Sequence, residues 1–200
     1  MTEAKAYHHG DLRAALIDAG LQLTRAGGPE ALTIREATRR VGVSPNAAYR
    51  HFADREALLT AVGTAIQSRM AARMRSATRR RGSTERQALD RLRAVGLGYI
   101  GFALDEPGWF AVAFFGPVGP SETGTAPPYI ALVEALDSMA DAGLLSPEQR
   151  VGAEWPCFSA VHGFAELALR GPLRGVSRRE LESLAKRTVD DIIAGVSRRT

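Results

Sequence analysis

TIREATRRVGVSPNAAYRHF, residues 33–52, reads as two short helices joined by a tight turn. The first runs from Ile34 to Arg40. Thr33 is its N-cap, offering a side-chain oxygen to the unpaired N–H groups of the first turn, with Glu36 three residues on as a capping box requires. Gly42 falls where this helix must end, because glycine takes the left-handed conformation without a steric penalty. Ser44 caps the second helix and Pro45 opens it, where a missing N–H costs nothing. Ala48 and Phe52, spaced i, i+4, face inward, while Asn46, Tyr49 and Arg50 fall on another face with His51 beside them. A short helix with a polar, basic outer face, propped on a preceding helix, is the arrangement by which a helix-turn-helix enters the DNA major groove. An ordinary helix pair is the alternative; two caps and a turn glycine coinciding with the correct segregation of faces favour the helix-turn-helix.

Working outward, Leu12, Ala15, Leu16, Ala19 and Leu23 recur at helical spacing and predict a helix over 11–26, ended by Gly27-Gly28-Pro29. It supplies the core for Ile34, Ala37, Val41, Ala48 and Phe52. Asp54 is the expected N-cap of a fourth helix, with Leu58, Leu59, Val62, Ile66 and Met70 as its apolar side. Arg55 opens that helix. A cation there opposes the helix dipole, and either a phosphate or plain solvent offsets it.

Residues 7–59, YHHGDLRAALIDAGLQLTRAGGPEALTIREATRRVGVSPNAAYRHFADREALL, resemble the N-terminal domain of TetR-family transcriptional regulators. The resemblance implies a three-helix DNA-binding domain, a helical ligand-binding and dimerisation domain, and usually repression. It places phosphate contacts at Thr33 and Arg55, and base or backbone contacts at Ser44, Pro45, Asn46, Ala47, Tyr49, Arg50 and His51; Arg35 joins this set. Ala48 departs from the pattern, since a larger apolar residue is common there. The side-chain chemistry agrees independently. Asn46 has the paired donor and acceptor that suit adenine, and Arg50 the fork that suits guanine. Tyr49 and His51 are placed for phosphates, which position a protein without specifying sequence.

The charge distribution points the same way. Residues 1–81 carry 14 Lys/Arg against 7 Asp/Glu, a net of +7, and residues 82–200 carry 12 against 15, a net of −3. The basic half holds the helix-turn-helix, which favours a polyanionic partner for that half. Lys5 either touches a phosphate or belongs to a solvated tail. The arginine-rich run 69–81 either widens the electrostatic footprint or is a solvated helix face. His8 and His9 have no further ligands at metal spacing, so no metal site is expected. The single cysteine, Cys157, excludes an internal disulfide. With no signal-type or membrane-spanning apolar run, a soluble cytoplasmic protein is expected.

The second half continues as helices: 84–104, a short apolar helix 109–115, 129–142, one from Pro147 to about Arg170, and 178–197 capped by Ser177. Residues 116–128, dense in Gly and Pro, form a loop without the Gly-Lys-Ser/Thr ending of a phosphate-binding loop. Ten of the thirteen aromatic residues lie between Tyr99 and Phe164. An all-helical domain of that density either packs them as core or turns some toward a ligand pocket. Trp109, Phe110, Phe114 and Phe115 are the preferred ligand set, because four large rings in seven residues cannot all face one core. Phe102, Trp155, Phe158 and His162 complete it. Residues 155–169, WPCFSAVHGFAELAL, resemble the family's C-terminal subtype named for a Trp-His-Gly motif, here Val161-His162-Gly163 with valine in place of tryptophan. His162 either bonds a ligand or is a satisfied core histidine. Gly163, with Ala160, permits close helix packing. The last helix, with Leu181, Leu184, Val189, Ile192, Ile193 and Val196, pairs with the Trp155 helix as a four-helix dimer interface.

The expected architecture is all-α. Residues 1–55 form the helix-turn-helix domain, the fourth helix over 54–81 connects, and residues 82–200 form the ligand-binding and dimerisation domain. The function expected is a homodimeric, sequence-specific regulator on a palindromic operator of double-stranded DNA. It is a repressor released by a small apolar effector of unknown identity, without cofactor, metal or membrane partner. An effector-independent regulator is the alternative. An enzyme fails for want of a nucleophile motif, metal spacing or cofactor loop.

Overall fold

The structure is a computed structural model that describes residues 9–76, 82–115 and 126–197, with the backbone alone for residues 9–11 and 115. Lys5, His8, the arginines at 79–81 and most of the Gly/Pro loop lie outside the described residues. Among those described there are ten α-helices and no strand: α1 (His9–Gly27), α2 (Ile34–Val41), α3 (Pro45–Tyr49), α4 (Arg55–Ser76), α5 (Thr84–Asp105), α6 (Pro107–Phe115), α7 (Pro127–Asp141), α8 (Pro147–Arg150), α9 (Glu154–Leu169) and α10 (Arg178–Val196). A 3-10 turn, Pro29–Ala31, precedes α2.

The helices divide into two compact units. The described parts of Met1–Ile66 and Glu106–Glu122 form the first, and those of Gln67–Asp105 and Thr123–Thr200 the second. The expected division is 1–55 and 82–200 with the fourth helix connecting them. The boundary falls inside the continuous helix α4, and α6 joins the N-terminal unit.

The first unit is built on α1, whose Leu12, Leu16, Ala19 and Leu21 are buried with Ile34, Ala37, Ala48, Phe52, Leu58, Leu59, Val62 and Ile66. Each fully buried leucine contributes about 1.5–3 kcal/mol over an exposed one. Leu23 and Val41, expected in this core, are only half-buried. The inclusion of α6 has a local cause at Gly108. A Cβ there would sit 2.3 Å from the Arg25 carbonyl oxygen and 2.4 Å from that of Thr24, so only glycine lets α6 approach the end of α1 this closely. Next to it the Trp109 indole N–H donates to the Leu21 carbonyl at 2.8 Å. Arg25 lies 5.3 Å from the Trp109 ring centroid and holds Glu106 through two hydrogen bonds of 2.5 and 2.7 Å.

In the second unit α5 packs against α7, α9 and α10, and α9 against α10. Tyr99, Ile100, Leu136 and Met139 are fully buried there. The helix expected from Pro147 to Arg170 is broken. Ser146 caps α8 with a complete capping box through Gln149, then Gly152 (φ 73°) turns the chain into α9. Leu181 and Val189 of α10 are buried, whereas Leu184 is 37% exposed. Among the described residues no neighbour lies within 4 Å of a Cβ built on Gly163, so none of them makes the close packing expected there.

Candidate functional site

The two caps form as their residue types require. Thr33 Oγ1 accepts from the Glu36 N–H at 3.1 Å, and Ser44 Oγ from the Ala47 N–H at 3.4 Å. Gly42, at φ 78° and ψ 32°, is the left-handed residue that ends α2. The Glu36 carboxylate does not close the expected capping box. It takes the Arg39 guanidinium at 2.7 and 2.9 Å and lies 3.6 Å from Arg40, and the bonds from Arg39 hold it below the usual carboxylate range. Arg40 also donates to Gln22 at 3.3 Å. Two of the three cations of α2 are thus engaged within the unit. The third, Arg35, is exposed and has no such contact among the described residues.

α3 is five residues long and stops at Tyr49, short of the helical reading to Phe52. The inward face survives this shortening, because the Phe52 N–H still donates to the Ala48 carbonyl at 3.0 Å. Ala48 is fully buried and Phe52 nearly so, with the Arg13 guanidinium 5.3 Å from the Phe52 ring centroid. On the outer side Ser44, Pro45, Asn46 and Arg50 are exposed, Tyr49 is 53% exposed, and Ala47 and His51 are half-buried. The surface is polar and cationic over a small apolar footing, which suits a nucleic-acid groove. The side chain of Ala48 is small enough for α3 to lie close on its support.

Arg55 has protein partners that neither expected reading included. Its guanidinium turns back to donate to the carbonyl oxygens of Leu32 at 2.6 Å and Pro29 at 2.5 Å, with Glu30 at 3.9 Å. It thereby fixes the segment leading into Thr33, while Asp54 caps α4 through the Ala57 N–H at 2.7 Å.

The second unit contains an apolar cavity of about 20 Å³, walled by Met74, Leu92, Val95, Gly96, Tyr99, Pro128, Leu132, Cys157, Phe158, Val161, Val189, Ile192 and Ile193. Among the described residues no charged side chain lines it. Tyr99 shares a 2.8 Å hydrogen bond with Nδ1 of His162, and the His162 ring stacks on Phe158 with centroids 5.4 Å apart. Burial lowers the His162 pKa and raises that of Tyr99, so both are neutral near pH 7. Burial and the nearby Glu154 push the Cys157 thiol up to about 11, which keeps it protonated and unreactive.

Of the expected ligand set, only Phe158 lines this cavity, and His162 stands behind it. Trp109 and Phe110 are buried in the core of the first unit, where Phe110 and Phe114 rings meet at 4.9 Å. Trp109 and Phe110 are buried because α6 faces α1, while Phe114 is half-buried; the Phe115 side chain lies outside those described. Phe102 is buried away from the cavity, and Trp155 is 61% exposed beside Tyr129. The residues missed by sequence reasoning are the aliphatic walls and Tyr99. Aliphatic residues at helical spacing carry no signal that separates a cavity wall from ordinary core.

Residues 16–62 match the model of bacterial regulatory proteins of the tetR family, and residues 92–192 match that of a tetracyclin repressor-like C-terminal domain. The chain belongs to the TetR family of DNA-binding transcription regulators. No curated protein matched it significantly. Among solved structures, a Rhodococcus sp. RHA1 protein of unknown function is 25% identical, with 98% of this chain and 100% of that one covered at a TM-score of 0.73. A tetR-family regulatory protein from Rhodococcus RHA1 is 20% identical, covering 92% and 96% at a TM-score of 0.64. A TetR variant from Acinetobacter baumannii AYE, in complex with minocycline, is 18% identical, covering 91% and 94% at a TM-score of 0.61. The latter two share the fold. Among the described residues no helix is long and apolar enough to cross a membrane.

Proposed function

We propose that this chain is a homodimeric repressor that reads a palindromic operator and leaves it when an apolar effector occupies the second unit. The observation that carries the reading is α3. Asn46, Tyr49 and Arg50 are exposed on one side while Ala48 and Phe52 are buried on the other. Asn46, Ala47 and Arg50 read base edges; Tyr49, His51, Thr33, Arg35, Ser44 and Pro45 touch the backbone of the duplex. Arg55 acts one step back, holding the segment that presents Thr33.

Dimerisation is supported by apolar side chains left exposed on the last two long helices, Trp155 and Leu167 on α9 and Leu184 on α10. A five-residue reading helix covers few base pairs, so discrimination requires two half-sites. The effector acts by binding one arrangement of the dimer more tightly than another. An effector-independent regulator is the second reading, favoured by the small cavity. No catalytic role is proposed.

Selection of bound DNA from a random pool by the purified protein tests the main reading. The expected result is an enriched palindrome with half-sites about one helical turn apart or a multiple of it. A pool that yields no enriched sequence overturns it. Release from the selected operator by an apolar compound separates the effector reading from the effector-independent one.

A further inference from the structure

We propose that the cavity beside Tyr99, Phe158 and Val161 binds an uncharged linear amphiphile, an alkyl chain ending in one hydroxyl. This deepens the effector reading and rests on it for the purpose of the site; the ligand chemistry is argued from the walls themselves.

The walls are chiefly methyl-bearing side chains, among them Leu92, Leu132 and Val189, with Tyr99 and Phe158 as the two aromatic members. Such walls give dispersion contacts along a flexible chain but no pair of facing rings to sandwich a planar ligand. With no charged side chain among the described residues that line the cavity, a carboxylate or ammonium head would be buried without a partner, which is unfavourable. A hydroxyl fits what the wall offers. The Tyr99 phenol lies 2.8 Å from His162 Nδ1, and a phenol both donates and accepts, so a ligand hydroxyl joins this pair without bringing in an ion.

The size of the cavity defines how entry occurs. Its volume of about 20 Å³ is close to the roughly 10–15 Å³ that one water needs, so an alkyl chain must move a wall. Of the two aromatic walls, Phe158 is the less buried. It is half-buried, stacked flat on His162 at an interplanar angle of 9° and edge-on to Tyr99 at 75°. Val161 helps to leave the slot open. It stands where the Trp-His-Gly motif has tryptophan, opposite Gly96, whose missing Cβ would lie 3.6 Å from Val161 and 3.0 Å from Val189.

Calorimetric titration of the full chain with 1-octanol and with octanoate at pH 8 tests the assignment without DNA. Octanol is expected to bind once per chain, and octanoate at least about tenfold more weakly, since its head is ionised there. Tyr99→Phe should weaken octanol roughly three- to tenfold and leave octanoate unchanged, as the loss of one neutral hydrogen bond predicts. Val161→Phe should abolish octanol binding in a chain that circular dichroism shows to be folded. Should that variant not fold, Phe158→Ala serves instead, and tighter binding of 1-decanol relative to 1-octanol is expected. Equal binding of octanol and octanoate, or no effect of Tyr99→Phe on octanol, overturns the proposal. Octanol that binds as expected without releasing operator DNA overturns the effector reading alone.

Discussion

Arg55, the first residue of α4, donates through Nε to the carbonyl oxygen of Leu32 at 2.6 Å, spending on the backbone a cation expected at a phosphate. A second bond to Pro29 makes the grip two-pronged and explains how a residue at an unfavourable end of a helix is tolerated. Arg55→Ala is expected to destabilise the first unit by about 1.5 kcal/mol, the low end for hydrogen bonds from a charged donor, because the side chain is 37% exposed. Operator affinity should fall with it, but the slope of log K against log salt should stay the same. A residue that neutralises a phosphate would instead flatten that slope by about 0.9. Urea denaturation and binding isotherms at several salt concentrations check both halves.

Tyr49 and Asn46 are exposed neighbours on α3 with different expected roles. Tyr49→Ala should leave stability within about 0.5 kcal/mol, as for most surface changes, and weaken binding to all DNA sequences alike. Asn46→Ala should change which base is preferred at one position of each half-site, by about 1–3 kcal/mol of discrimination. Mobility-shift titrations on operator variants distinguish the two patterns. Equal binding by both variants and the parent would remove α3 from the reading surface.

The helix-turn-helix was legible in the sequence because its signals are local. Thr33, Gly42 and Ser44 each act on the backbone within four residues, and Ala48 with Phe52 needs only helical spacing. Arg55 was not legible, since its acceptors lie 23 and 26 residues away and are backbone atoms with no sequence signature. The partner of the aromatic run 109–115 was illegible for a related reason. The run's density shows that a buried surface exists, but the partner is α1, some 88 residues earlier at the Leu21–Trp109 bond. His162 stood open between ligand contact and core, and the structure gives it both a core partner in Tyr99 and a place behind the cavity wall.

Gly108 and Trp109 make the seat of α6 testable. Gly108→Ala puts a methyl group 2.3–2.4 Å from two backbone oxygens, which must shift. The expected cost is about 1–3 kcal/mol, as for other overpacked sites. Trp109→Phe keeps the ring but removes the donor to Leu21, whose carbonyl keeps the Thr24 hydroxyl at 3.4 Å, so the expected cost is that of one hydrogen bond, about 0.5–1.5 kcal/mol. Thermal denaturation should show both variants melting lower than the parent. A Gly108→Ala melt unchanged from the parent would mean that α6 does not sit against the carbonyls of Thr24 and Arg25.

The Tyr99–His162 pair sets a pH dependence whose sign follows from burial. Desolvation holds the His162 pKa below its ordinary value of 6.5, so the unfolded chain binds a proton more readily than the folded one. Well above pH 6.5 the residue is neutral in both states and contributes no pH slope. As pH falls below that value the unfolded state is increasingly favoured, until the folded histidine also protonates and the loss levels off. If the phenol donates to Nδ1, that protonation breaks the bond, and Tyr99, whose own pKa burial raises, cannot ionise in compensation. His162→Gln cannot take up the proton. Chemical denaturation between pH 8 and 5 should therefore show the parent losing more stability than the variant, with the two curves separating as the pH falls through 6.5. Parallel curves throughout would show that His162 is as accessible to protons in the folded chain as in the unfolded one.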